Sequence, residues 1–492
     1  MSAEAAARPQ RLLPALLLTG IIVLAALLRF WRLGAWGLEG DEIFTLRDSL
    51  APAFDNPRPL IYFLNYYLIR PLWPLDELGV RLLPALFGVL AVPALYLVAR
   101  RLIGTRAALF AALLLALSPV HIYQSQYARY WSLVFLLSSV YPFAIYIGIR
   151  DRNVRALALG LATAALAVLA HPVSLFLAGG LAVWLLTQLR REHLRQLWGQ
   201  PSVRWALWLL LIVAGVVAWR YVPMLHAWIA GHDAGTRLPD HLLFAPRGLG
   251  IKQIGLLAAY AEGLSLPVVL IGALGIYLLW KGRDRPLAQL LTCLFVVPAG
   301  VIVLLSLRTP VSLTYILSTA PVFYLGAGVF LDRLAEVDWE LRPRWLLSAA
   351  VAAIVIAAGA PTLISQYRDG RRHDFRGAAR WLDERLQPGD LVFSDQWRTM
   401  DHYLRGTEAQ PLSGDPGVLR EALRKLQDKG GGGALWVVAP YSARGGLRTN
   451  ARIGIFKAWI YENCRLRNAL GVARLDFRQN ELQIYNCSVT PG

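Results

Sequence analysis

Charge is scarce in this 492-residue sequence, with Asp, Glu, Lys and Arg making up 17%, against about a quarter in soluble globular domains. That deficit excludes an ordinary water-soluble globule. Three cysteines are too few for a disulfide-stapled miniature fold. No internal repeat is visible, which excludes a stacked repeat array. The run Gly430–Gly433 is not followed by Lys-Ser or Lys-Thr, so it lacks what a phosphate-binding P-loop needs and reads as a flexible loop. Met1 to Arg11 lack a signal-peptide cleavage pattern, so Leu12–Leu28 is expected to be a retained helix.

What the chain has instead is apolar length. Hydrophobic residues make up 56%, and the mean hydropathy is +0.45. Apolar runs fall at about 12–28, 81–99, 107–120, 131–149, 156–170, 173–189, 205–222, 264–280, 287–306, 313–331 and 345–364. Many approach the ~20 residues needed to cross a hydrocarbon core. The expectation is an integral membrane protein of about eleven helices, those around Leu157 and Val173 being short.

The formal net charge of +18 raises nucleic acid as a partner. The basic residues punctuate the ends of apolar runs and form no stripe, which argues against it. Nearly all are arginine, which suits phosphate contacts and equally follows from genome base composition. Arg100, Arg101 and Arg106 mark one side of the membrane. The same side collects Arg150, Arg152 and Arg155, then Arg190, Arg191 and Arg195, then Lys281, Arg283 and Arg285, then Arg333, Arg342 and Arg344. By the positive-inside rule that side is cytoplasmic. Loops 30–80, 118–130, 223–263 and 307–312 then lie outside, as does the C-terminus.

From about Ser365 the composition becomes that of a soluble domain. A helix is predicted over Asp374–Leu386, stopped by Pro388-Gly389-Asp390, with a second near Val418–Leu426. Strands are predicted at Leu391–Ser394, Leu435–Ala439, Val472–Phe477 and Leu482–Cys487. The domains are thus 1–364, a membrane region whose first outer loop carries an acidic motif, and 365–492, an extracytoplasmic α/β domain. Cys293 reads as a small core residue. Cys464 and Cys487 are able to pair if their segment faces an oxidising compartment.

The sharpest chemical signal is Trp36-Gly37-Leu38-Glu39-Gly40-Asp41-Glu42-Ile43-Phe44. Adjacent carboxylates just beyond a transmembrane helix sit where ionisable groups are costly and usually functional. On its own the pair reads equally as a solvated loop. Further along come Arg58-Pro59-Leu60-Ile61-Tyr62-Phe63, then Ser118-Pro119-Val120-His121-Ile122-Tyr123-Gln124-Ser125-Gln126-Tyr127-Ala128-Arg129-Tyr130, then Tyr315-Ile316-Leu317 with Pro321.

In this order, and with this membrane layout, the motifs resemble the GT-C superfamily of membrane glycosyltransferases. The resemblance is to the branch of protein O-mannosyltransferases and lipid A aminoarabinose transferases. It is carried mainly by the first third of the chain. Where family members often show a His or Lys with a double proline, this chain has Asn56-Pro57-Arg58-Pro59. Where they often carry a basic residue before the late tyrosine, it has Thr314, with Arg308 nearby.

The resemblance implies an inverting transfer on the outer face of the plasma (inner) membrane. Asp41, with Glu42 beside it, would deprotonate an acceptor hydroxyl while a polyprenyl phosphate leaves as an anion. A departing phosphate needs cations or a metal for its charge. Arg58 and Arg129 are outer-loop arginines suited to two-pronged phosphate contact, or else snorkelling residues at the interface. A divalent cation is left open. The cavity for donor and acceptor would draw on Asp55, Tyr62, Gln126, Tyr127, Tyr130, His171, Arg308 and Tyr315.

Several of these have blander readings. His171-Pro172 is a structural turn or part of the cavity wall. Asp55 assists Asp41 or caps a loop helix. His226, His232, Asp233 and His241 match no metal-ligand spacing and read as loop residues. Tyr62, Phe63, Tyr66, Tyr67 and Trp73 suit an amphipathic helix at the interface. The implied partners are a polyprenyl-phosphate-linked sugar, an acceptor protein, lipid or glycan, and membrane lipids, with no nucleic acid. Two other functions stay open: a ligase using a lipid-diphosphate donor, and a lipid or glycan transporter. Transporters place repeats and charges at mid-membrane, whereas here the carboxylates lie in outer loops.

Overall fold

A computed structural model describes residues 3–188, 251–282, 284–307, 311–336, 345–412, 415–428, 433–440, 458–471 and 481–487, with isolated positions between 208 and 223. Two compact units emerge. The first comprises Met1–Trp31, Ala51–Trp73 and Arg81–Leu363. The second gathers Arg32–Leu50, Pro74–Val80 and Ile364–Gly492.

The first unit is helical. Among the described residues, six helices are long and apolar enough to cross a membrane, beginning with Leu12–Phe30 and Gly79–Ile103. Two further pairs pass the same test but are bent, Thr105–Ala116 with Pro119–Ser125 by 60° and Leu256–Leu264 with Leu266–Lys281 by 96°. Val154–Ala170 and Ser174–Gln188 are shorter apolar helices. The chain is a multi-pass membrane protein. Ten of the eleven apolar runs coincide with helices, and the run at 205–222 lies largely outside the described residues. The expected outer loop at 118–130 begins instead as a short helix. Pro119 removes a backbone donor and breaks the helix that precedes it, and the Ser118 hydroxyl caps the new one by accepting the His121 N–H.

Small residues let these helices approach closely. Leu266–Lys281 packs on Ala320–Leu334, and a Cβ added at Gly275 would sit 1.8 Å from the Gly326 carbonyl oxygen. Within lipid, where apolar burial does not drive helices together, such van der Waals contact does. Phe323, Tyr324 and Leu325 of helix Ala320–Leu334 are buried in the core of the unit.

The second unit contains a five-stranded sheet. We number its strands β1 (Leu391–Ser394), β2 (Ala409–Pro411), β3 (Leu435–Pro440), β4 (Arg465–Leu470) and β5 (Leu482–Cys487). Their order is β2-β1-β3-β5-β4, with β1 parallel to β2 and β3, and β5 antiparallel to β3 and β4. Successive side chains of a strand point to opposite faces, and both faces are covered. Val392, Val438 and Ile484 meet Phe375, Ala378 and Leu382 of helix Phe375–Asp383. Phe393, Leu435, Val437 and Tyr485 meet Leu419, Ala422 and Leu426 of helix Pro416–Asp428. Burial on both sides explains why β3 reads as a continuous apolar run, while β5, buried along its whole length, also carries Gln483 and Asn486.

Cys464 and Cys487 form a disulfide beside this second core. It closes a separation of 23 residues, worth about 3 kcal/mol by loop-closure entropy. The strand predicted at Val472–Phe477 lies outside the described residues; the strand observed beside β5 is β4.

Candidate functional site

In the second unit, Asp41 opens helix Asp41–Leu50 and is exposed. The residue before it, Gly40, turns the chain at φ 53°, a conformation glycine adopts without cost, and donates its N–H to Gln396 Oε1 at 2.8 Å. Asp41 and Glu42 occupy the helix's first turn, where its dipole favours carboxylates.

The two carboxylates differ completely in setting. Glu42 is fully buried. Its Oε2 accepts the Glu39 N–H at 3.2 Å and lies 3.4 Å from Arg372 Nε, while Oε1 accepts from Arg372 Nη2 at 3.5 Å. Arg372 is itself 4% exposed and stands 6.0 Å from the Trp36 ring centroid. Nearby, Glu39 Oε1 meets His373 Nδ1 at 2.5 Å. The Tyr403 hydroxyl accepts the Leu38 N–H at 2.6 Å and donates to Glu77 at 3.0 Å. Burial pushes that hydroxyl's pKa up, so it keeps the proton it donates. Glu77 also accepts from Arg376 at 3.2 Å. These contacts hold the turn that presents Asp41.

In the first unit, two arginines converge on one hydroxyl. Arg58 Nη1 donates to Tyr130 Oη at 3.0 Å, and Arg129 Nη2 donates to the same oxygen at 3.1 Å. Their guanidinium carbons lie 5.3 and 4.7 Å from the Tyr130 ring centroid. Arg129 and Tyr130 are buried and Arg58 half-buried. Two planar guanidiniums meeting at one oxygen suit the oxygens of an anion such as a phosphate. The Tyr130 ring also packs on His171 at 4.7 Å, and His171 on Trp131 at 4.9 Å and Tyr315 at 5.8 Å. His171 Nδ1 accepts the Val173 N–H at 3.0 Å. Burial, with the Arg58 and Arg129 charges, holds its pKa well below the ordinary value.

Arg58, Arg129, Tyr130, His171 and Tyr315 therefore belong to one cluster. Tyr62 is buried in the short helix that follows Arg58. Tyr127 stacks on Tyr123 at 5.5 Å. Gln126 is fully buried, with its amide bonded to backbone carbonyls of the first helix. Asp55 is exposed in the loop before Arg58. Arg308 and the 226–241 histidines lie outside the described residues. Among the described residues, no three His, Cys, Asp or Glu side chains gather as a metal site. Sequence reasoning missed Arg372, Tyr403 and Glu77. The basic run Arg371-Arg372-His373 was a faint signal for the first.

Residues 58–219 match the sequence model of the dolichyl-phosphate-mannose-protein mannosyltransferases. That segment contains Arg58, Arg129, Tyr130 and His171. No curated protein matches the chain. Among solved structures, the chain is similar to ArnT from Cupriavidus metallidurans in the apo state, with a TM-score of 0.58 and 17% identity over 98% of each chain. It is similar to the same protein bound to undecaprenyl phosphate, with a TM-score of 0.56 and 16% identity over 97% of this chain and 98% of that one. A third likeness is to the Archaeoglobus fulgidus oligosaccharyltransferase in its apo form. There the TM-score is 0.56 and the identity 12%, over 96% of this chain and 76% of the other. The GT-C resemblance read from the motifs is thus matched by the fold.

Proposed function

We propose that this chain is a membrane glycosyltransferase that moves a sugar, with inversion, from a polyprenyl-phosphate carrier to an acceptor hydroxyl on the extracytoplasmic face. The observation that carries this reading is the meeting of Arg58 and Arg129 at the Tyr130 hydroxyl, inside the segment that matches the mannosyltransferase model. Planar guanidiniums suit the non-bridging oxygens of a phosphate. The undecaprenyl phosphate bound to the Cupriavidus ArnT supports the choice of lipid.

In this reading Asp41 takes the proton of the acceptor hydroxyl, and the acceptor oxygen attacks the anomeric carbon. The bond from that carbon to the phosphate oxygen breaks, its electron pair stays with the phosphate, and the configuration inverts. Arg58 and Arg129 offset the charge that builds on the leaving group. Glu42, buried against Arg372, holds the Asp41 turn in place. The Cys464–Cys487 disulfide supports an oxidising, extracytoplasmic setting for the second unit.

The test is transfer from radiolabelled undecaprenyl-phosphate hexoses by the purified chain in detergent. Labelled acceptor and free undecaprenyl phosphate should appear together. Transfer from lipid-diphosphate donors alone would favour the ligase reading instead.

A further inference from the structure

His171 carries a buried polar atom with no role so far. It sits in the turn between helices Val154–Ala170 and Ser174–Gln188. Its Nδ1 accepts the Val173 N–H and so cannot itself bear a proton. A neutral imidazole then carries its proton on Nε2, at the far edge of the ring. The residue is 6% exposed, and Nε2 has no hydrogen-bond partner. Most buried donors find an acceptor. The ring's close neighbours are the aromatic rings of Tyr130, Trp131 and Tyr315. Tyr130 is the residue that gathers both guanidiniums.

A donor left unmatched beside two cations calls for an acceptor of negative charge. We propose that His171 Nε2–H donates to a phosphate oxygen of the lipid carrier, as a third and neutral donor beside Arg58 and Arg129. This rests on the reading that the arginine pair binds that phosphate. A neutral donor suits the place, since a third cation would add repulsion to a pair already close together.

The experiment is binding of undecaprenyl phosphate, with undecaprenol as the phosphate-free control, to the purified full chain in detergent. His171→Asn keeps an amide oxygen for the Val173 N–H but loses the far donor. His171→Gln places an amide N–H where Nε2 stood. The Asn variant should bind about tenfold or more weakly, the Gln variant should recover most of that loss, and neither should change undecaprenol binding. Wild-type affinity in the Asn variant, with Arg129→Ala still impaired, would overturn the His171 role and leave the arginine reading standing. Wild-type affinity in Arg129→Ala would overturn both. A second measurement needs no variant. In the wild-type chain labelled with 15N-histidine, the His171 Nε2–H proton resonance should move downfield on adding undecaprenyl phosphate but not undecaprenol. A resonance unmoved by the phosphate would overturn the proposal.

Discussion

Gln126 and Arg29 each close the end of the helix that the other belongs to or adjoins. The Gln126 amide donates to the carbonyls of Leu28, Arg29 and Trp31 at 3.2, 3.3 and 3.0 Å, where the first helix ends. Arg29 in turn donates to Ala116 and Leu115 at 3.0 and 3.2 Å, where helix Thr105–Ala116 ends, and meets His121 at 2.7 Å. The last carbonyls of a helix have no partner within it, and both residues are fully buried. Arg129 follows Gln126 by three positions, so this exchange fixes the stretch from which the guanidinium projects.

Gln126 is therefore predicted to position Arg129. Gln126→Glu replaces the amide donor with a carboxylate facing three carbonyls and should lower the unfolding temperature more than Gln126→Ala does. In both variants the apparent donor affinity should fall while turnover at saturating donor stays closer to wild type. A thermal melt paired with a donor titration checks this. An affinity unchanged in a variant whose melting temperature has dropped would separate Gln126 from the phosphate.

The acidic pair is predicted to split by role. Asp41→Asn should cost at least ~100-fold in turnover, as loss of a positioned base does, with the unfolding temperature intact. Glu42→Gln removes the carboxylate that faces Arg372 in the interior. It should destabilise by about 3–5 kcal/mol, and pairing it with Arg372→Met should recover part of that loss. Unfolding of the two single variants and the double variant measures the coupling. Near-normal transfer by Asp41→Asn would remove Asp41 from the chemistry.

The disulfide yields a prediction about side as well as stability. A membrane-impermeant maleimide applied to intact cells should label Cys464 and Cys487 only after reduction. The Cys464→Ser/Cys487→Ser variant should lose about 3 kcal/mol. A reporter that fluoresces only in the cytoplasm, fused after Gly492, should stay dark. Bright fluorescence would place the second unit inside and undo the proposed topology.

Much of this architecture was legible because burial writes itself into local sequence. Val437 lies in a run that is apolar on both faces of the sheet, and the membrane helices announce themselves by length. Other elements carry no such mark. Strand β2 is the three residues Ala-Gln-Pro at an edge, β4 is mostly exposed, and helix Trp397–Tyr403 buries little beyond Thr399 and Met400. The site divides the same way. Arg58 and Arg129 stood out by composition and order. The partnership of Glu42 with Arg372 spans 330 positions, and no periodicity or spacing signals a contact that only the tertiary fold creates. The lone donor on His171 depends on which ring nitrogen the Val173 N–H occupies, a matter of one turn's geometry.

The central claim is that the arginine pair holds the donor phosphate, and titrating an undecaprenyl-phosphate-linked sugar at saturating acceptor tests it most directly. Arg129→Ala should weaken apparent donor affinity by about tenfold to a hundredfold, the range of a charge-assisted hydrogen bond. Arg129→Lys keeps the charge without the planar fork and should fall between Ala and wild type. An Ala variant with wild-type donor affinity and rate would contradict the account.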